Sequence, residues 1–281
     1  MKRVRQFVRN FINALSRPEM LVLPGQLAFF FVLSVVPTIT LISYGASFLH
    51  LPMDFISSFL NNAFGDTTSE LIMPMVEGGT LSMGYLITLV VGYFIASNGA
   101  SSIIITSNAI YGIRNSSFLK RKVKSFIMTI FIVVLFLFIL VIPVFGQQII
   151  DIIKLVNFNP TITKYTELAF LIIKGPVSWL IIFMFIKIIY IMAPDRKIPS
   201  SFVNYGAFST TAGWILSTYL YSYYINNFAH YDIFYGGLAN IVILMLWVYL
   251  LAFIFVIGMA LNNREEIKML EKTDQFKVVE E

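Results

Sequence analysis

Six apolar stretches, Leu27–Leu49, Ser82–Ile105, Phe126–Phe145, Leu168–Met192, Val203–Tyr223 and Leu238–Leu261, run through the chain with almost no charge inside them. A helix needs about 20 apolar residues to cross a hydrocarbon core of about 30 Å. Each stretch is close to that length, so the chain is predicted to be an all-α, polytopic membrane protein of six transmembrane helices. Only 12% of its residues are charged and 58% are hydrophobic, whereas soluble domains carry about 25% charge. What lies outside the spans is too short for a soluble catalytic domain of ordinary size. The chain has no cysteine, which removes disulfides and thiolate chemistry.

The basic residues sort by compartment. Sixteen of them flank alternate spans: Lys2 to Arg17 before the first, Arg114 to Lys124 after the second, Arg196 and Lys197 after the fourth, and Arg264 to Lys277 in the tail. The intervening loops hold two, Lys154 and Lys164. The positive-inside rule then puts both termini in the cytoplasm, which requires an even number of spans. This charge sits beside the spans, so the expected partners are anionic lipids of the cytoplasmic leaflet and not nucleic acid.

Residues 1–18 read as an amphipathic interfacial helix. Val4, Phe7, Val8, Phe11, Ile12 and Leu15 recur at helical spacing, and Pro18 closes it. Its apolar face has two readings, lipid or the protein's own spans. A six-helix domain over 19–262 and a cytoplasmic tail over 263–281 complete the organisation.

Within the spans the unusual residues are small and polar. Ser34 and Pro37 mark a kink in the first. Gly92, Ala96 and Ala100 form a small stripe in the second, a composition suited to close helix contact. Ser97, Asn98, Ser101 and Asn108 make the same span polar. The fifth carries a stripe of Tyr205, Ser209, Gly213, Ser217 and Tyr221. These stripes predict a path along which a polar headgroup moves while its tail stays in lipid. Lys174 and Lys187 lie inside the fourth span. They either snorkel to the interface or meet a substrate or counter-ion, and Gly175-Pro176 beside Lys174 predicts a helix break. His50 with Asp54 and His230 with Asp232 are the candidates for an outer metal or acid–base site, against an ordinary role as loop residues. No metal or cofactor is expected.

Two stretches carry a resemblance. The first is Gln26-Leu27-Ala28-Phe29-Phe30-Phe31-Val32-Leu33-Ser34-Val35-Val36-Pro37. The second is Tyr235-Gly236-Gly237-Leu238, then Leu246-Trp247-Val248-Tyr249, then Gly258-Met259-Ala260-Leu261-Asn262. With the link Pro194-Asp195-Arg196-Lys197-Ile198-Pro199, they resemble the YihY/BrkB family of bacterial inner-membrane proteins. The resemblance implies transport, in some members tied to lipid or envelope export, and packing or kink roles for Gly236, Gly237 and Gly258. The family also carries an old ribonuclease label. Two distant histidines do not supply the clustered ligands of a metal-dependent nuclease, so an enzyme is not expected. Where the family has a glutamate near the end of the last span, this chain has Ala260, and no ion coupling is implied there. The leading expectation is a transporter of an amphiphilic or lipid-like molecule; the alternative is a membrane scaffold or regulator using the small stripes as contacts for partner helices.

Overall fold

The computed structural model describes residues 19–48, 83–134, 160–227 and 231–280, all in helices and short connections with no strand among them. The helices are α1 (Glu19–Phe48), α2 (Met83–Tyr111), α3 (residues 118–134), α4 (Pro160–Met192), α5 (Asn204–Asn227), the short α6 (Tyr231–Tyr235) and α7 (Ala239–Glu280). Each expected span falls on, or begins in, one of them. By length and apolar content alone, Val90–Tyr111 and Ile241–Arg264 suffice to cross a bilayer, while Met20–Ser34 and Pro176–Met192 are shorter apolar segments. The hydroxyls and tyrosines of α5 dilute its apolar content. The N-terminal amphipathic segment, His50, Asp54, His230 and the second half of the third span lie outside the described residues.

Several helix ends and one expected break differ from the expectation. α3 begins at residue 118, eight residues before Phe126, so Lys120, Arg121, Lys122 and Lys124 sit on a helix and not in a loop. α4 is described from Pro160, making residues 160–167 helical. α4 also runs unbroken through Gly175 and Pro176, so the break expected beside Lys174 is absent. α7 continues through the expected tail to Glu280, where Arg, Glu, Lys, Met and Leu are strong helix formers.

The packing is organised around α7, which lies against α1, α2 and α5; α1 packs on α2, and α4 on α5. Small residues set the approach distances. A Cβ added at Gly92 would sit 3.6 Å from the Cβ of Pro37, and one at Gly99 would sit 2.8 Å from Ser34 Oγ. The Ser34 hydroxyl turns back to its own helix, donating to Phe30 O (2.6 Å) and Phe31 O (3.1 Å). α1 continues as one helix through Pro24 and Pro37. On the other side of α7, Gly206 and Gly258 let α5 and α7 touch backbone to backbone, and a Cβ at Gly213 would meet Ile254 Cγ2 at 2.7 Å. Gly236 does not serve packing. Its φ is +51° and a Cβ there would meet nothing within 4 Å, so its glycine serves the left-handed turn that, with Gly237, leads into α7.

Polar side chains lie inside the bundle beside its apolar core, and large apolar side chains cover much of its outside. Ser97, Ser102, Thr106, Asn108, Thr210, Thr211 and Asn262 are buried, whereas Leu21, Phe29, Val90, Phe131, Leu216 and Tyr219 are exposed. Large exposed apolar surface of this extent needs lipid or protein to cover it.

Candidate functional site

α3 sends two lysines in opposite directions along its axis. Lys122 reaches the middle of α2, where its Nζ donates to Ser97 Oγ (2.7 Å), Asn98 Oδ1 (3.0 Å) and Phe94 O (3.3 Å). It also lies 3.8 Å from the centre of the Phe94 ring and 5.2 Å from that of Phe126, within cation–π range. Tyr93 stacks on Phe126 and donates to its carbonyl at 2.5 Å, fixing the two helices beside the lysine. Every oxygen on this ammonium is neutral. The charge is solvated but not cancelled, and no carboxylate pairs with it among the described residues.

Lys124 turns the other way. Its three N–H groups go to Ala193 O (2.7 Å), Pro194 O (2.7 Å) and Asp195 Oδ1 (2.8 Å). Asp195 Oδ2 accepts from Asn108 Nδ2 (2.8 Å) and the Ser116 N–H (3.1 Å), and the Asp195 N–H donates to Asn108 Oδ1 (2.8 Å). Burial alone would raise the pKa of Asp195; the bonds from Lys124, Ser116 and Asn108 outweigh it and hold the carboxyl well below the usual range. Asn108 lies eleven residues beyond Ser97 on α2, about 16 Å along the axis at 1.5 Å per residue. The Lys122 ammonium therefore sits about that far from the charged end.

The charged end is closed by further caps. Gly112 (φ +64°) ends α2, with Gly112 N–H on Ala109 O (3.2 Å) and Ile113 N–H on Asn108 O (2.8 Å), the two bonds of a Schellman motif. Asn263 Nδ2 takes the carbonyl of Ile110 at 2.7 Å. Arg196 pairs with Glu266 at 2.6 Å and lies over the Tyr111 ring. These residues surround a cavity of about 350 Å³.

Between α4, α5 and α7, Tyr190 is wholly enclosed. Its hydroxyl donates to Phe255 O (2.7 Å), so Thr210 Oγ1, also at 2.7 Å, must donate to it. Asn262 Oδ1 accepts the Gly206 N–H (2.6 Å), satisfying a donor in the first turn of α5. The Tyr111 hydroxyl faces Asn262 without closing a hydrogen bond. Ser102, Thr106 and Ser107 are buried with no hydrogen-bond partner among the described residues. Tyr190→Phe keeps the shape but removes both hydroxyl bonds, leaving the buried Thr210 hydroxyl without its acceptor. A loss of about 1–3 kcal/mol is expected, read as a lower melting temperature of the purified protein.

The family model for the virulence factor BrkB matches residues 11–278. The chain belongs to the virulence factor BrkB family. Among its relatives, the ribonuclease-like protein YfkH of Bacillus subtilis is 29% identical, covering 85% of this chain and 87% of its own length. A UPF0761 membrane protein of Pseudoalteromonas atlantica is 28% identical over 98% of this chain and 91% of its own, and one of Vibrio vulnificus 26% identical over 96% and 86%. The BrkB family member described here is thus related along nearly its whole length to proteins named as membrane proteins. No solved structure matches it.

The expected path residues of this BrkB family member separate into groups. Ser97 and Asn98 hold Lys122, Ser101 is half-buried beside them in sequence, and Asn108 is a buried strut of the charged end. Gly213 packs on α7 through Ile254; Ser209 and Ser217 are half-buried and Tyr205 is exposed. α2 and α5 do not pack extensively on each other, because α7 lies between them, so the two stripes do not form one seam. Ala96 and Ala100 are buried on α2. Lys174 lies within α4, its side chain outside the described set. Ala260 is fully buried, and the acid of this region is Glu266, paired with Arg196. Sequence reasoning missed Lys122, Lys124, Asp195, Tyr190 and Asn262 as interior groups. Apart from the family-like link holding Asp195 and the motif ending at Asn262, nothing in the sequence pointed to them.

Proposed function

We propose that this protein moves an amphiphilic, lipid-like molecule with an anionic headgroup between the leaflets of the bacterial inner membrane. In this reading it crosses six times with both termini in the cytoplasm and performs no covalent chemistry. The observation that carries it is Lys122. Neutral oxygens solvate this ammonium without cancelling it, and charges within a span are expensive and point to function. Its ligands, Ser97 and Asn98, lie in the polar stripe expected to guide a headgroup. Buried hydroxyls without partners on the same helix, Ser102 and Thr106, add polar lining at four-residue spacing. Gly92 of α2 and Gly213 of α5 already meet α1 and α7 within the chain, which favours this reading over a scaffold that uses them to contact partner helices.

The test is lipid movement in proteoliposomes, followed by dithionite quenching of fluorescent phosphatidylglycerol or phosphatidylcholine. The intact protein should accelerate the anionic lipid. Lys122→Met should slow that movement roughly tenfold per folded molecule, about 1.4 kcal/mol, and Lys122→Arg should restore part of it. Wild-type protein no faster than empty vesicles with either lipid would end the transport reading. Equal rates in wild type and Lys122→Met would remove the lysine from it. Bulky residues at Gly213 are a poorer test, because they strike Ile254 and disturb packing.

A further inference from the structure

A second lysine stands apart from this site and does not depend on the transport reading. Lys187 lies on α4 five residues before its end at Met192, about 7 Å from the charged end along the axis. It borders a groove of about 600 Å³ between α4 and the start of α5, lined also by Phe183, Ser201, Phe202, Asn204, Tyr205 and Phe208. That volume is within the range of ligand sites. Among the described residues no acidic side chain lines the groove, and Lys187 makes no hydrogen bond or ion pair with any of them. Lys122 and Lys124, in contrast, each fill all three donors.

The groove has two chemical ends. Ser201, Asn204 and Tyr205 give it a polar rim beside the ammonium, where the chain turns from the link into α5. Phe183 and Phe208 give it an apolar wall. That wall continues along α4 through Trp179, which stacks on Phe183 at 5.8 Å and meets Phe208 edge-on at 5.4 Å. Much of Phe208 and Met184 is exposed on this side. A cation with no counter-ion among the described residues, a hydroxyl and amide rim, and an aromatic track leading away from the charged end together match one kind of molecule. Its phosphate would meet Lys187, its glycerol the polar rim, and its acyl chain the aromatic wall. A free anion would leave the wall uncovered, and a neutral lipid would leave the ammonium unpaired.

We infer that the groove between α4 and α5 holds an anionic phospholipid as a resident structural ligand, its phosphate bound by Lys187. The probe is phosphatidylglycerol in mixed micelles with the purified full-length protein, read by thermal unfolding and by native mass spectrometry. Phosphatidylglycerol should raise the melting temperature by about 3 °C or more and leave one retained lipid in the mass spectrum. Lys187→Gln should lose both effects, Lys187→Arg should keep them, and Phe208→Ala should weaken them. Lys122→Met should keep them in full, which separates this site from the one proposed for transport. An equal shift with phosphatidylcholine, with inorganic phosphate alone, or in Lys187→Gln would overturn the inference.

Discussion

Gly258→Ala is expected to lower the stability of the protein by about 3 kcal/mol or more, enough to deplete folded protein after extraction. The added methyl would overlap Thr210 Oγ1 and Tyr190 OH, and would press on the Gly206 carbonyl at 3.0 Å. Neither hydroxyl can retreat, because Tyr190 is fixed by Thr210 and Phe255 O. Two other glycines calibrate the effect. Gly213→Ala meets only the methyl of Ile254, a side chain that can shift, and should cost about 1 kcal/mol. Gly112→Ala meets nothing but must hold φ +64°, a penalty of about 1–2 kcal/mol from left-handed backbone alone. Thermal melts of the three variants in one detergent should rank Gly258→Ala far below the others. A Gly258→Ala protein melting with wild type would show that α5 and α7 are not in backbone contact.

The second large effect is at the Lys124–Asp195 pair. Both side chains are mostly buried, with exposures of 27% and 10%. Removing one member of such a pair leaves the other charge uncompensated, at about 3–5 kcal/mol. Lys124→Met also strips the carbonyls of Ala193 and Pro194. The double variant Lys124→Met/Asp195→Asn should lose less than the sum of the singles, with a coupling of about 1–3 kcal/mol; simple additivity would mean that the pair does not act as a unit. The pH dependence follows from the depressed carboxyl. Its stabilisation is fully present above the unfolded value, about 3.9, and is lost as pH falls from there toward the lower folded value. Asp195→Asn should flatten the acid limb of a stability–pH curve.

Hydrocarbon thickness dictates where apolar stretches must be, so the helices at Leu27, Val203 and Leu238 were legible. The ends were not. Residues 118–125 are rich in lysine and arginine and read as loop, yet Leu, Lys and Arg are good helix formers. Ser97 and Asn98 stood out as amides and hydroxyls inside a span, but their occupant did not. A lysine counted with a loop carries its charge on a flexible stem, and only packing decides that Lys122 turns inward while Lys124 turns away. Periodicity places Ser209, Gly213 and Ser217 on one stripe of α5 and cannot say which helix faces it; that neighbour is α7. Tyr190 and Asn262 gave no signal because their roles exist only where Gly206 and Gly258 bring two helices together.

The central position of α7 bears on how the molecule is made. α1, α2, α4 and α5 all leave the ribosome before it, yet α1 and α2 on one side and α4 and α5 on the other are joined chiefly through it. Until it is made, Gly206, Gly213 and Thr210 of α5 lack the surface they pack on, and the two pairs lack what joins them. Assembly of the described bundle is therefore completed only when this C-terminal helix arrives between them.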